Sequence, residues 1–177
     1  MASVKLPDGK QLEIEPGEKA RDVAEKIGKR LARDAVVAKL DGELIDLDAP
    51  LNGGGDFEVV TIDSSEGLEV LRHSTAHAMA QAIVELYPGS KLTIGPPIEN
   101  GFFYDIEVAG RLTDEDLPLI EERMHEIVAR NLPIQREDVS KAEAEDLYVD
   151  NPYKTEIVEA LEAVSYTHLT LPTKRIV

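Results

Sequence analysis

The chain of 177 residues contains no cysteine and no tryptophan. Without thiols it can hold neither a disulfide scaffold nor a thiolate metal site, a composition that fits a reducing cytoplasm. No apolar run approaches the roughly 20 residues that span a bilayer. The opening MASVKLPDGK lacks the pattern of a secretory leader. The expected compartment is the cytoplasm, with no membrane partner. Positive charge is also scarce, since 19 Lys and Arg face 35 Asp and Glu for a net charge of −16. The deficit is uneven: residues 1–62 have a balance of −4, and residues 63–163 one of −14. Such acidity repels a polyanion at long range, which argues against a protein that coats nucleic acid. One local exception is KIGKRLAR, where Lys26, Lys29, Arg30 and Arg33 recur at helical spacing. A solvated helix face is the ordinary reading of such a run.

What is present is enough hydrophobic residue, 42%, for one or two packed domains. SVKLP and KQLEIEP read as strands around Asp8-Gly9, a tight-hairpin dipeptide. KARDVAEKIGKRLA reads as one helix with Ala20, Val23, Ile27 and Leu31 on its apolar stripe. AVVAKLDGELIDL is a second strand pair around Asp-Gly, and FEVVTI closes the region. The order ββαβ(β)β over residues 1–62 predicts a ubiquitin-like β-grasp unit. A helix capped by Ser65 then runs to Pro88-Gly89. KLTIGP and GFFYDIEV form a strand pair joined by PIEN, with Gly95-Pro96-Pro97 as a rigid turn. Phe102, Phe103 and Tyr104 are expected to pack the domain. A capping box, Thr113 with Asp116, opens a helix whose apolar positions are Leu119, Ile120, Met124, Ile127 and Val128. His125 falls on its acidic surface. IQREDV is a strand, and two further helices flank Asn151-Pro152. The expected class is α+β throughout.

The segment VLRHSTAHAMAQAIVELY carries two of the four histidines, and no charged side chain lies between Arg72 and Glu85. At about 100° per residue, Leu68, Leu71, Thr75, Met79, Ala82 and Leu86 share one side. His73 and His77 fall opposite, flanked by Val70, Ala76, Ala80 and Val84. With both faces apolar or small, the helix is expected between two layers, its histidines pointing into a confined space. Three readings stand side by side. The pair can be core histidines bonded to neighbours. It can be an i, i+4 zinc half-site, although no third ligand is obvious. Or it can line a metal-free pocket in which an imidazole orients water or a hydroxyl.

The surrounding residues are more specific than the pair. LRHSTAHAMAQAI followed by YPGSKLTIGPPIENGFFYDIE resembles the second N-terminal domain of threonyl-tRNA synthetases. The head that opens VKLPDGK resembles the TGS domain of the same enzymes. The resemblance covers residues 1–163: a TGS-like domain over 1–62 and an incomplete editing domain over 63–163. It implies hydrolysis of seryl-tRNA mischarged by the synthetase. His73 and His77 match the HxxxH of the editing pocket, and Lys154, in NPYKTEIVEAL, matches a pocket lysine. The implied partner is the acceptor end of tRNA(Thr), bound weakly in view of the acidic second region. ATP and zinc are implied only for a catalytic core not found in this sequence, through which the enzyme would form a homodimer. Within residues 1–177 no cofactor is expected.

The family's editing domain continues into a Cys-x-x-x-His segment that this cysteine-free chain lacks. The resemblance therefore implies about the first quarter of such an enzyme, inactive in ligation and impaired in editing. Residues 164–177, VSYTHLTLPTKRIV, do not resemble the family's continuation. VSYTHL resembles one reading frame of a transposon-end adapter used in DNA library preparation, so a non-native tail is expected and His168 is assigned no role. Two alternatives remain: a non-catalytic TGS-containing tRNA-binding or regulatory module, and a freestanding editing hydrolase of the alanyl type, which shares the HxxxH helix.

Overall fold

The computed structural model describes residues 2–132, 135–160 and 166–170, with backbone alone for 135–138 and 166–170. The chain divides into two compact units, Met1–Arg72 and His73–Val177. Among the described residues no helix is long and apolar enough to cross a membrane.

In the first unit the strands β1 (Ala2–Lys5), β2 (Gln11–Ile14), β4 (Ala35–Leu40), β5 (Glu43–Ile45) and β7 (Gly55–Thr61) form a sheet of order β2-β1-β7-β4-β5. Only β1 and β7 run parallel, with Val4 opposite Gly55; the other neighbours are antiparallel. The short strands β3 (Glu18–Lys19) and β6 (Pro50–Leu51) pair apart from it. Alternation along the strands turns Val4, Ile14, Ala38 and Phe57 to one face, where they meet Ala20 and Val23 of helix α1 (Ala20–Ile27) and Leu51. Full burial of side chains such as Phe57, Ile14 and Leu51 contributes about 1.5–3 kcal/mol each. The five strands of the sheet follow the expected order ββαβ(β)β, and the short strands β3 and β6 are added to it. Leu40 pairs with Glu43 across Asp41-Gly42, both at positive φ (52° and 85°), as a two-residue turn matched to strand twist requires.

The single helix expected over KARDVAEKIGKRLA is corrected by the structure. It breaks at Gly28 into α1 and α2 (Lys29–Asp34), where the backbone turns extended (φ 172°) after the Gly28 N–H closes on the Ala24 carbonyl. The basic run is divided with it. Lys26 pairs with Glu18 (2.5 Å), whereas Arg30 and Arg33 lie on α2 beside Asp34.

Helix α3 covers Ser65–Leu86. Its cap is Ser64 rather than Ser65. The Ser64 hydroxyl donates to the Thr61 carbonyl (2.7 Å) and accepts from the Gly67 N–H (3.0 Å). That first bond fixes Ser64 against the end of β7 and leaves Ser65 inside the helix.

In the second unit α3 meets two sets of neighbours. Met79, Ala82, Ile83 and Leu86 pack with Ile120, Met124 and Ile127 of α4 (Leu117–Ala129). Ala80 and Val84 pack on Leu92, Tyr104 and Ile106. The seam with α4 is narrow, so Leu119 and Val128, expected in the core, are exposed. The capping box at Thr113 forms as expected, with Asp116 accepting from the Thr113 N–H at 2.7 Å, and Asn131 at φ 47° ends the α4 segment.

The strand pair after α3 is two short ladders instead of two long strands. β8 (Lys91–Leu92) pairs with β11 (Ile106–Glu107), and β9 (Pro97–Ile98) with β10 (Gly101–Phe102). Gly95-Pro96 lies in the arm between them and Pro97 opens β9, while the reversal falls at Glu99-Asn100. Pro96 and Pro97 have no N–H to give the ladder. Gly95 lies flat beneath the Tyr104 ring, which a Cβ would enter. Phe103, expected to be packed, is exposed. Beyond α4, β12 (Gln135–Val139) pairs with β13 (Tyr166–Thr170). Thus part of the stretch read as a tail is a strand; residues 164, 165 and 171–177 lie outside the described residues. Helices α5 (Lys141–Leu147) and α6 (Pro152–Ala160) flank Asn151. Val139, Ala144, Tyr148 and Val158 close a small core of their own.

Candidate functional site

Two turns of α3 bring the His73 and His77 rings together, with centroids 4.7 Å apart and planes inclined by 33°. The confinement expected for both holds for one. His77 is half-buried and its Nε2 is sealed from solvent, but His73 is exposed. The reason lies in the packing, because the β8–β11 ladder meets this face of α3 only from Ala80 onward. Helical periodicity puts His73, His77, Ala80 and Val84 within about 60° of arc. The histidines therefore continue the face that rests on the ladder, one and two turns beyond it.

Lys154 sits on α6, and α6 is fastened to that same ladder. Asn151 Nδ2 donates to the Leu92 carbonyl (2.8 Å), its Oδ1 accepts from the Lys154 N–H (3.4 Å), and its carbonyl accepts from the Thr155 N–H (3.0 Å). The Asn151 side chain thus caps the helix and ties it to β8. The Tyr153 hydroxyl donates to Glu107 of β11, which Lys91 holds at 3.3 Å. Burial pushes the Lys154 ammonium below its ordinary pKa. Among the described residues Lys154 forms no ion pair and no hydrogen bond to either histidine.

The elements carrying all three expected residues are therefore seated on one two-stranded ladder, but only the histidines touch each other. Among the described residues no three His, Cys, Asp or Glu side chains are grouped to hold a metal ion, so the zinc half-site finds no third ligand there. His125 is exposed, 3.9 Å from Glu121, as expected of a surface residue.

The histidine stripe continues past the pair. Gln81 and Glu85 follow His73 and His77 at the same spacing of four. Gln81 is 3% exposed and its Nε2 donates to Glu85 Oε1 (2.9 Å). Glu85 in turn accepts from both terminal nitrogens of Arg130 (2.8 and 2.9 Å) and from Arg123 (3.4 Å). The Arg130 guanidinium, above all, holds the Glu85 carboxyl down at about 2, against the desolvation that would raise it. The spacing was legible. The arginines, 38 and 45 positions away, were not.

A cavity of about 270 Å³ in the first unit is lined by Lys5, Leu6, Pro7, Lys39, Gly42, Asp56, Phe57 and Glu58. Its lysines are paired with Asp56 and Glu66, and it carries no histidine.

Comparison with known proteins gives a consistent picture. Residues 3–61 match the TGS domain family. Over 161 residues the chain is 67% identical to a threonine–tRNA ligase of Rubrobacter xylanophilus, covering 91% of this chain and 25% of that protein. It is 46% identical over 162 residues to the threonine–tRNA ligase of Thermotoga maritima, covering 90% of this chain and 25% of that protein. With that of Staphylococcus saprophyticus it shares 44% over 158 residues, covering 89% and 24%. The chain spans about a quarter of the length of the curated relatives it matches.

Proposed function

We propose, from a chain that carries a TGS domain and is homologous to threonine–tRNA ligases over nine-tenths of its length, that its second unit holds part of a hydrolytic proofreading pocket. The whole enzyme would join threonine to tRNA(Thr) with ATP and remove serine attached in error. The observation that carries the reading is the seating of the paired imidazoles and of Lys154 on one ladder. The bond to be cut is an ester between the serine carboxyl and a ribose oxygen. Water adds to the carbonyl carbon, the carbonyl oxygen gains negative charge, and the ribose oxygen leaves with a proton. A half-buried ammonium suits the developing oxyanion, because low dielectric strengthens the interaction. Its proton is also loosened by burial and can pass to the departing oxygen, the proton that water loses on attack returning to the Lys154 amine. The imidazoles orient the water and the serine hydroxyl; threonine is rejected by the room its extra methyl needs.

The resemblance assigns ATP, zinc and the homodimer contact to sequence beyond the matched quarter, and the cytoplasm as the compartment. The test is hydrolysis of Ser-tRNA(Thr) by the 177-residue chain and by a chain extended to the length of the relatives. In the extended chain His77→Ala and Lys154→Ala each lower the rate by about 10²-fold or more, with Thr-tRNA(Thr) spared throughout. An undiminished rate in both variants refutes the assignment. The 177-residue chain binds tRNA weakly at moderate salt, since residues 63–163 balance at −14.

A further inference from the structure

Gln81 is the buried polar side chain of the described core, 3% exposed, and half of its carboxamide is unused. Nε2 donates to Glu85 Oε1 at 2.9 Å, while Oε1 is buried and accepts no hydrogen bond among the described residues. A buried carbonyl acceptor left without a donor is uncommon in a folded protein and calls for a reason.

The orientation of this carboxamide is dictated by its surroundings. An ionised carboxylate can only accept, so the end of Gln81 that meets Glu85 must be the NH2 end. Glu85 cannot turn away, because Arg130 grips both of its oxygens and Arg123 adds a third contact. The two ends of a carboxamide diverge. Tying Nε2 to Glu85 on the following turn leaves Oε1 as the end directed away from Glu85. The residue before Gln81 on the same stripe is His77, four positions earlier. Its Nε2 is sealed from solvent, as Oε1 is.

We propose that Gln81 is a positioning residue for His77: its oriented carbonyl oxygen receives the imidazole Nε2–H and so fixes the ring's proton on that nitrogen. A side-chain rotation in the site closes the contact, and closure requires Nε2 to carry the proton. Arg123 of α4 and Arg130 just past its end then act on the site through two intermediaries, Glu85 and Gln81. The proposal rests on the reading of His77 as a functional residue. Its test observes the ring itself and not hydrolysis, so either can fail alone.

The experiment uses the 177-residue chain labelled with ¹⁵N-histidine, at about pH 8.5, well above the ordinary imidazole range near 6.5. Imidazole ¹⁵N shifts and proton correlations report the tautomer, and His77→Ala assigns the signal. In the unmodified chain the Nε2–H fraction of His77 is expected to exceed that of the exposed His125, because a free imidazole already favours that tautomer. In Gln81→Met, which keeps the volume and removes the acceptor, the tautomer ratio falls to that of the exposed His125. Glu85→Gln keeps Oε1 but no longer dictates which end of the carboxamide faces which way, and moves the ratio in the same direction. Should Gln81→Met fail to fold, Glu85→Gln carries the test alone. A His77 proton on Nδ1, or a ratio unchanged in whichever variants fold, overturns the proposal.

Discussion

Replacing Glu85 by Gln removes a charge that holds two helices of the second unit together, and its cost is expected to depend on pH in a defined window. In the native protein the carboxylate accepts from Gln81, Arg123 and Arg130. Its pKa lies at about 2 against an ordinary 4.5. Taken at face value that difference corresponds to about 3 kcal/mol. Glu85 remains 23% exposed and Arg130 35%, so water screens the pair and about 1–2 kcal/mol is a realistic share. Because the folded pKa is the lower one, this stabilisation is complete above about pH 4.5. It is lost as pH falls from there toward 2, where the folded carboxylate also takes its proton.

The assay is urea unfolding followed through amide signals of α3 and α4, at intervals from pH 7 to 2.5, for the parent chain and Glu85→Gln. Other carboxylates with lowered pKa, such as Asp116 and Glu143, titrate in both proteins and cancel in the difference. The gap between the two proteins is expected to stay level from pH 7 to about 5 and to close below 4.5. A gap that persists unchanged to pH 2.5 would mean that shape, and not charge, makes Glu85 matter.

Two further substitutions probe the frame around the site. Gly95→Ala drives a methyl into the Tyr104 ring and should cost about 1–3 kcal/mol as an overpacked contact, read as a lower urea midpoint for the second unit. Ser64→Ala removes the side chain that accepts from the Gly67 N–H, an expected loss of about 1 kcal/mol. Ser65→Ala, inside the helix, should change the midpoint by less than about 0.5 kcal/mol; equal effects from the two serines would refute the assignment of the cap.

The order of elements could be read from the chain because each is set by local chemistry. Asp8-Gly9 and Asp41-Gly42 make their turns, and Thr113 and Asp116 make their cap, wherever the rest of the chain goes. Sequence and structure part where two local signals compete. Ser64 and Ser65 are equally good caps, and only the bond to the Thr61 carbonyl decides between them. Gly28 inside an amphipathic pattern reads as a tolerable cost of about 1 kcal/mol, yet the helix stops there. The proline pair at 96–97 reads as the turn because proline marks turns. The structure uses it instead to interrupt a ladder and places the reversal at Glu99-Asn100. Of the proposed site, the histidine pair and Lys154 can be picked out through a resemblance, and their shared support cannot. Asn151 reaches the Leu92 carbonyl across 59 positions, and Arg130 reaches Glu85 across 45. Such partners are fixed by packing, on which spacing is silent.

The same long-range pairs bear on how an acidic unit could receive a polyanion. Lys91 is held by Glu107, Arg123 by Glu85 and Glu126, and Arg130 by Glu85. Each of these cations is already neutralised where it stands. Lys154 differs, being half-buried and without an ion pair among the described residues. Long-range attraction is therefore weak, while Lys154 remains available at short range, on the helix fastened to the same ladder that supports α3. An arrangement of that kind suits a site that takes a single ester end presented to it by contacts elsewhere. It does not suit a surface that gathers nucleic acid along its length, where unpaired lysines and arginines would be spread in a row.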